Sequence, residues 1–111
     1  MDAEGNLRFA LGADYDEGRA AELLGELGLS DVGDKAVRDY SGGMRRRLSL
    51  ARALLFPCDI LLLDEPFTGL DPENRRRAAA CVRRHGAGKI VFVVTHEASD
   101  AEALEAEILR I

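Results

Sequence analysis

The sequence predicts an α/β fold with parallel strands, on three observations. Ile60-Leu61-Leu62-Leu63 and Ile90-Val91-Phe92-Val93-Val94 are short, unbroken apolar runs. Such runs mark strands covered on both faces, as in parallel sheets. The stretch between them opens with Asp71-Pro72-Glu73 and closes near His85-Gly86. That is a helix signature: an acid at the N-cap, proline at the first helical position, and an acid near the positive end. Strand, helix and strand in this order make a right-handed crossover.

The elements follow in order. Asn6-Leu7-Arg8-Phe9 starts a short helix. Asp16 to Leu27 is an amphipathic helix with Ala20, Leu23, Leu24 and Leu27 on one face, and Gly28 suits its C-terminal turn. Residues 29–39 form a polar connector. Ser41 is a natural N-cap for a long helix from Gly42 to about Leu55, whose Leu48, Ala51 and Leu55 share a face. Pro57 ends that helix before the first strand. After the second strand, Ala98 to Glu105 is helical and Ile108 to Ile111 is a third strand. The expected division is a helical subdomain over residues 1–56 and an α/β core over residues 57–111.

At 111 residues the chain is one domain or a piece of one. With 47% hydrophobic and 32% charged residues it has a globular profile, not a disordered one. Its net charge of −5 argues against non-specific nucleic-acid binding. Arg45-Arg46-Arg47 and Arg75-Arg76-Arg77 do not change that, because consecutive helical residues point in different directions. Each run is expected to be a solvated helix surface. No apolar run approaches ~18 residues, so membrane association is expected only through a partner. Cys58 and Cys81 match no metal-ligand spacing and are expected as reduced thiols of a cytosolic protein. His85 matches no motif and is expected at a solvated helix end.

Three segments carry candidate chemistry. Ser41-Gly42-Gly43 opens a helix, whose free N–H groups and positive dipole end suit a phosphate. Two glycines keep any Cβ out of the approach, and the serine adds a hydroxyl donor. Taken alone, this segment is an ordinary N-cap. Asp64-Glu65 places two carboxylates at the C-terminal end of a parallel strand, where ligands of open α/β sheets bind. His96 leaves the second strand at the same end.

Together these segments resemble the ATP-binding cassette ATPases, the motor subunits of transporters. Tyr40-Ser41-Gly42-Gly43-Met44, continuing through Arg45 to Leu54, resembles the family's signature sequence. Tyr40 and Met44 replace the usual Leu and Gln. Asp64-Glu65-Pro66 running on to Leu70-Asp71 resembles the Walker B motif and D-loop, and His96 resembles the switch histidine. The resemblance implies a role for each residue. Ser41 and Gly43, with Gly42 between them, would bind the γ-phosphate of ATP held by the opposite subunit. Asp64 would help hold Mg²⁺, often through water, and Glu65 would polarise the attacking water as general base. His96 would contact the γ-phosphate, and Asp71 would sit at the subunit interface. ATP and Mg²⁺ are the implied cofactors. A second ATPase subunit in a head-to-tail dimer and a transporter permease are the implied partners. Nucleic-acid binding and membrane insertion of its own are not expected, and the implied location is the cytoplasmic face of a membrane. The wording of residues 40–47 and the compact end after His96 are similar to bacterial importers of the nitrate, sulfonate and taurine group.

The resemblance covers the helical subdomain and the C-terminal half of a P-loop NTPase sheet core. The chain contains no Gln, so it has no Q-loop glutamine. Gly86-Ala87-Gly88-Lys89 is not a Walker A loop: Arg83 stands where the first glycine belongs and Ile90 where Ser or Thr is needed. The chain is expected to be inactive alone and to leave a sheet edge and an apolar face uncovered. Two rivals stay open. One is a non-catalytic remnant or half-domain that docks on a complementary piece. The other is a soluble cassette ATPase of DNA repair or translation.

Overall fold

One face of a two-stranded parallel sheet packs on a helical core in the computed structural model, which describes residues 1–106. The elements run α1 (Ala3–Leu11), α2 (Glu17–Glu26), α3 (Gly42–Leu55), β1 (Ile60–Asp64), α4 (Pro72–His85), β2 (Ile90–Val94) and α5 (Ala98–Ala103). Two single 3₁₀ turns interrupt the connector before α3. The strands pair from Ile60 opposite Ile90 to Asp64 opposite Val94, so α4 is the expected crossover. The expected third strand lies outside the described residues.

Four helices start on side-chain caps that the sequence supplies. Asp2, Asp16, Ser41 and Asp71 each accept a hydrogen bond from the backbone N–H three residues on, at 2.8, 3.1, 3.1 and 2.8 Å. Gly28 ends the α2 region with φ +72, and a Cβ there would lie 2.6 Å from Arg77 Nη1. The positive φ is what favours glycine at that turn, since the guanidinium end of the half-exposed Arg77 can move aside. Phe67, Leu7, Leu23, Leu27, Leu54 and Cys81 are the largest fully buried side chains, and they belong to one apolar cluster reaching from α1 to α4.

The structure corrects three expectations. First, the strands are not covered on both faces as their unbroken apolar runs suggest; the bare face is the uncovered apolar face expected of a sheet core that lacks its other half. Leu61 and Leu63 are buried and Val91 and Val93 partly so, but Leu62 is 66% and Phe92 55% exposed, with Ile60, Ile90 and Val94 beside them. Alternate side chains of a pleated strand point to opposite faces, and only one face meets helices among the described residues. Second, His85 is not solvated. Its side chain is 7% exposed and its Nε2 lies 2.8 Å from Glu26 Oε2, because the end of α4 packs against α2. Third, the arginine runs are not uniformly solvated. Arg47 Nη1 donates to Leu27 O at 2.8 Å and Asn74 Oδ1 at 3.2 Å, and its Nε donates to Gly43 O at 3.3 Å. One planar guanidinium thereby satisfies a carbonyl at the end of α2 and joins it to the first turns of α3 and α4. Arg75 pairs with the buried Asp100 at 2.9 Å.

Glu26 is the polar centre of the α2–α4 contact. Partial burial works to raise its carboxyl, but hydrogen bonds from His85 and Cys81 and the charges of His85 and Arg84 outweigh this and hold it below the usual carboxylate value. Burial, with the Glu26 hydrogen bond and charge adding to it, pushes the Cys81 thiol up to about 12. A carboxyl whose folded-state value is depressed stabilises the fold fully above its unfolded value and loses that contribution as pH falls through the folded value. Glu26→Gln should therefore be less stable than the parent near pH 7, with the gap narrowing as pH falls through the depressed folded-state value of Glu26. Urea unfolding followed from pH 7 downward through the carboxylate range measures this; a gap that does not change with pH would show that Glu26 does not act through its charge.

Candidate functional site

The C-terminal end of the paired strands collects three of the predicted residues. The ladder continues one step past β1, where Glu65 N–H donates to Val94 O at 2.7 Å. The chain then turns sharply. Glu65 sits at φ +47, a left-handed conformation that costs a side-chain-bearing residue about 1–2 kcal/mol. The turn is anchored from below by Phe67, which is 1% exposed. Burying that ring offsets the strain.

Both oxygens of Glu65 have defined surroundings. Oε2 accepts from Thr68 Oγ1 at 3.2 Å. Oε1 is buried and has no hydrogen-bond donor aligned on it, although His96 Nε2 stands 3.2 Å away. A buried carboxylate oxygen without a donor is costly to keep, so it has room for one more hydrogen bond. His96 itself is 92% exposed and free to reach a ligand. Asp64 is exposed at the strand end and borders an open recess with Arg46, Ser49 and Leu62.

Asp71 lies at the other end of the same loop. It is exposed, and both its oxygens hold Asn74, from N–H at 2.8 Å and Nδ2 at 3.3 Å. Ser41 Oγ accepts from Met44 N–H, which leaves its own proton free to donate. A Cβ built on Gly42 would meet nothing within 4 Å, and one on Gly43 would meet only Leu70 Cδ2 at 3.7 Å and Gly69 O at 3.9 Å. Neither glycine has a positive φ. The fold does not demand glycine at these two positions, so their bareness suits something approaching from outside.

Gly43 thus neighbours the Gly69–Leu70 loop, but no hydrogen bond or ion pair joins Ser41, Gly42 or Gly43 to Asp64, Glu65 or His96 among the described residues. The helix start and the strand end are thus not bonded to one another. Among the described residues no group of three His, Cys, Asp or Glu side chains could hold a metal ion. Asp64 fits Mg²⁺ only as a hard oxygen ligand to an ion that arrives with phosphates and water.

Sequence reading missed Thr68, Arg47, Arg75 and Asp100. Thr68 stands three residues past Glu65, a spacing that a turn brings together. Asp100 carries no local signal, since it lies in a polar stretch that promises only a solvated helix.

The ABC transporter family model matches residues 2–68 of the chain. Among curated proteins, the chain is 47% identical over 95 residues to the daunorubicin resistance ATP-binding protein DrrA3 of Streptomyces coeruleorubidus, covering 85% of this chain and 30% of that protein. It is 45% identical over 87 residues to the Nod factor export ATP-binding protein I of Cupriavidus metallidurans, covering 78% of this chain and 29% of that protein. Among solved structures, the complex of the archaeal ribosomal stalk protein aP1 with the ribosome recycling factor aABCE1 matches at TM-score 0.80 and 31% identity, covering 94% of this chain and 20% of that one. The chain therefore spans about 30% of the length of these curated relatives.

The left-handed Glu65 gives a direct test of the turn. Glu65→Gly should be more stable than Glu65→Ala by about 1 kcal/mol, because only glycine is unstrained there. Equal stability in urea unfolding would show that residue 65 is not held in that conformation.

Proposed function

This chain belongs to the ABC transporter family, and we propose that it is the signature-to-switch part of a motor subunit that hydrolyses ATP to ADP and phosphate. The observation that carries the reading is Glu65 Oε1, buried and without a donor, beside His96 at the end of a parallel sheet. A water hydrogen-bonded to that oxygen would be polarised for attack, with Glu65 as general base. His96 would orient the same water and touch the γ-phosphate from its exposed position. Mg²⁺, when bound, would neutralise charge on the phosphate oxygens, and Asp64 would hold it through water. Ser41, Gly42 and Gly43 would offer a hydroxyl and helix-start N–H groups to a γ-phosphate. The lack of any bond between them and the strand end among the described residues supports a γ-phosphate held by a second subunit, with Asp71 at the contact. The division into a helical subdomain, 1–56, and a core piece, 57–111, is part of the same reading.

The chain offers no glycine loop with its lysine to cradle the phosphates, so it would not turn over ATP alone. Loss of one well-placed stabilising donor costs roughly 10²–10³ in rate, and a whole cradle is worth more. The exposed apolar sheet face supports docking on a complementary piece that carries the cradle. The whole assembly would work with a membrane permease at the cytoplasmic face; none of the described helices is long and apolar enough to cross a membrane. The names of the relatives above, drug resistance and Nod factor export, support export more than the nitrate, sulfonate and taurine importers. A soluble role in translation draws support from the likeness to the ribosome recycling factor, at lower identity than the transporter relatives.

Mixing the chain with a polypeptide that carries a Walker A loop and Q-loop glutamine should restore ATP hydrolysis, and Glu65→Gln should then lower kcat by about 10²–10⁴-fold. Turnover that survives Glu65→Gln refutes the general-base role. Co-purification of the assembly with a permease rather than with ribosomes supports the transporter reading over the translational one.

A further inference from the structure

Asp100 is the one buried polar or charged residue in the core of the described chain, at 3% exposure. A buried carboxylate is costly unless it is paired and hydrogen-bonded. Both oxygens are in fact engaged. Oδ1 accepts from Arg75 Nη1 at 2.9 Å, and Oδ2 accepts from Thr95 Oγ1 at 2.7 Å. Thr95 Oγ1 in turn accepts from Glu97 N–H at 3.1 Å, and Asp100 N–H donates to Glu97 O at 3.0 Å. These bonds enclose the two residues on either side of His96 and leave the exposed imidazole itself untouched. Arg75 carries the connection onward. It lies in the first turn of α4, where its N–H donates to Asp71 O at 2.8 Å. The neighbouring Asn74 is held by Asp71 and bonds Arg47, which reaches Gly43 O.

We propose that Asp100 is a positioning residue: through Thr95 it holds the His96 loop against Glu65, and through Arg75 it ties that loop to the start of α4. The loop after β1 and the loop after β2 then keep a fixed relation although neither side chain at the site bonds the other. This rests on the reading of Glu65 and His96 as partners in ATP hydrolysis, but the geometric claim stands on its own.

The test is a spectroscopic one on the full chain without nucleotide. The ring resonances of His96 should shift when Glu65 is changed to Gln, because the two side chains are held 3.2 Å apart. That response should be lost in Asp100→Asn and in Thr95→Val, and restored in Thr95→Ser. The buried His85 ring reports whether the core is intact. If Asp100→Asn disturbs His85 as well, Thr95→Val decides, since it removes one hydroxyl from a half-buried side chain. A His96 response that persists unchanged in Thr95→Val overturns the proposal, as does a Thr95→Ser variant that fails to restore it. No nucleotide enters this readout, so it succeeds or fails separately from the ATPase reading, which rests on turnover in the reconstituted assembly.

Discussion

Parallel pairing of β1 with β2 is the constraint on which the site depends. Parallel strands end on the same side, so one pairing brings a carboxylate pair and a histidine together from positions about thirty residues apart in sequence. The ladder does not stop at Asp64. It takes in the Glu65 N–H, and this fixes where the chain turns. Two strands alone are a weak foundation, because a sheet of that size needs packing to persist. Here Leu61 and Leu63 supply it on one face only.

Rigidity on the helical side comes from a small number of polar joints rather than from the apolar core alone. The first turn of α4 is the junction. Asp71 caps it, Asn74 meets the arginine that grips the start of α3, and Arg75 meets the carboxylate beneath the His96 loop. Three loops that would carry the chemistry therefore hang on one helix start. Energetically this is economical, since each bond also satisfies a carbonyl or carboxylate that would otherwise be left without a partner. The far end of α4 is fastened differently, by Glu26, His85, Cys81 and Arg84.

Much of this was legible in the sequence. The caps Ser41 and Asp71, the stop at Pro57, the two strands and the crossover helix follow from local rules that act within a few residues. The positions of Asp64, Glu65 and His96 at one sheet end follow from those strands and their direction. What the sequence could not show depends on contacts between distant segments. His85 looks like any helix-end histidine until α2 is placed beside it. Arg47 and Arg75 look solvated until their acceptors, a helix-end carbonyl and Asp100, are brought to them. An unbroken apolar run states that a strand can be covered on both faces, and says nothing of whether the covering residues lie in this chain. The bare side of Leu62 and Phe92 was foreseeable only from the absent half of the core, not from the runs themselves.

The central claim is that this chain holds the hydrolytic end of a nucleotide site without the part that grips the nucleotide. Titration of the chain with Mg²⁺-ATP by calorimetry tests it most directly. No saturable binding into the millimolar range is expected, because the chain offers no glycine loop with its lysine to cradle the phosphates. Saturable binding at micromolar ATP, lost in Asp64→Ala, would contradict this and show a complete site within these residues.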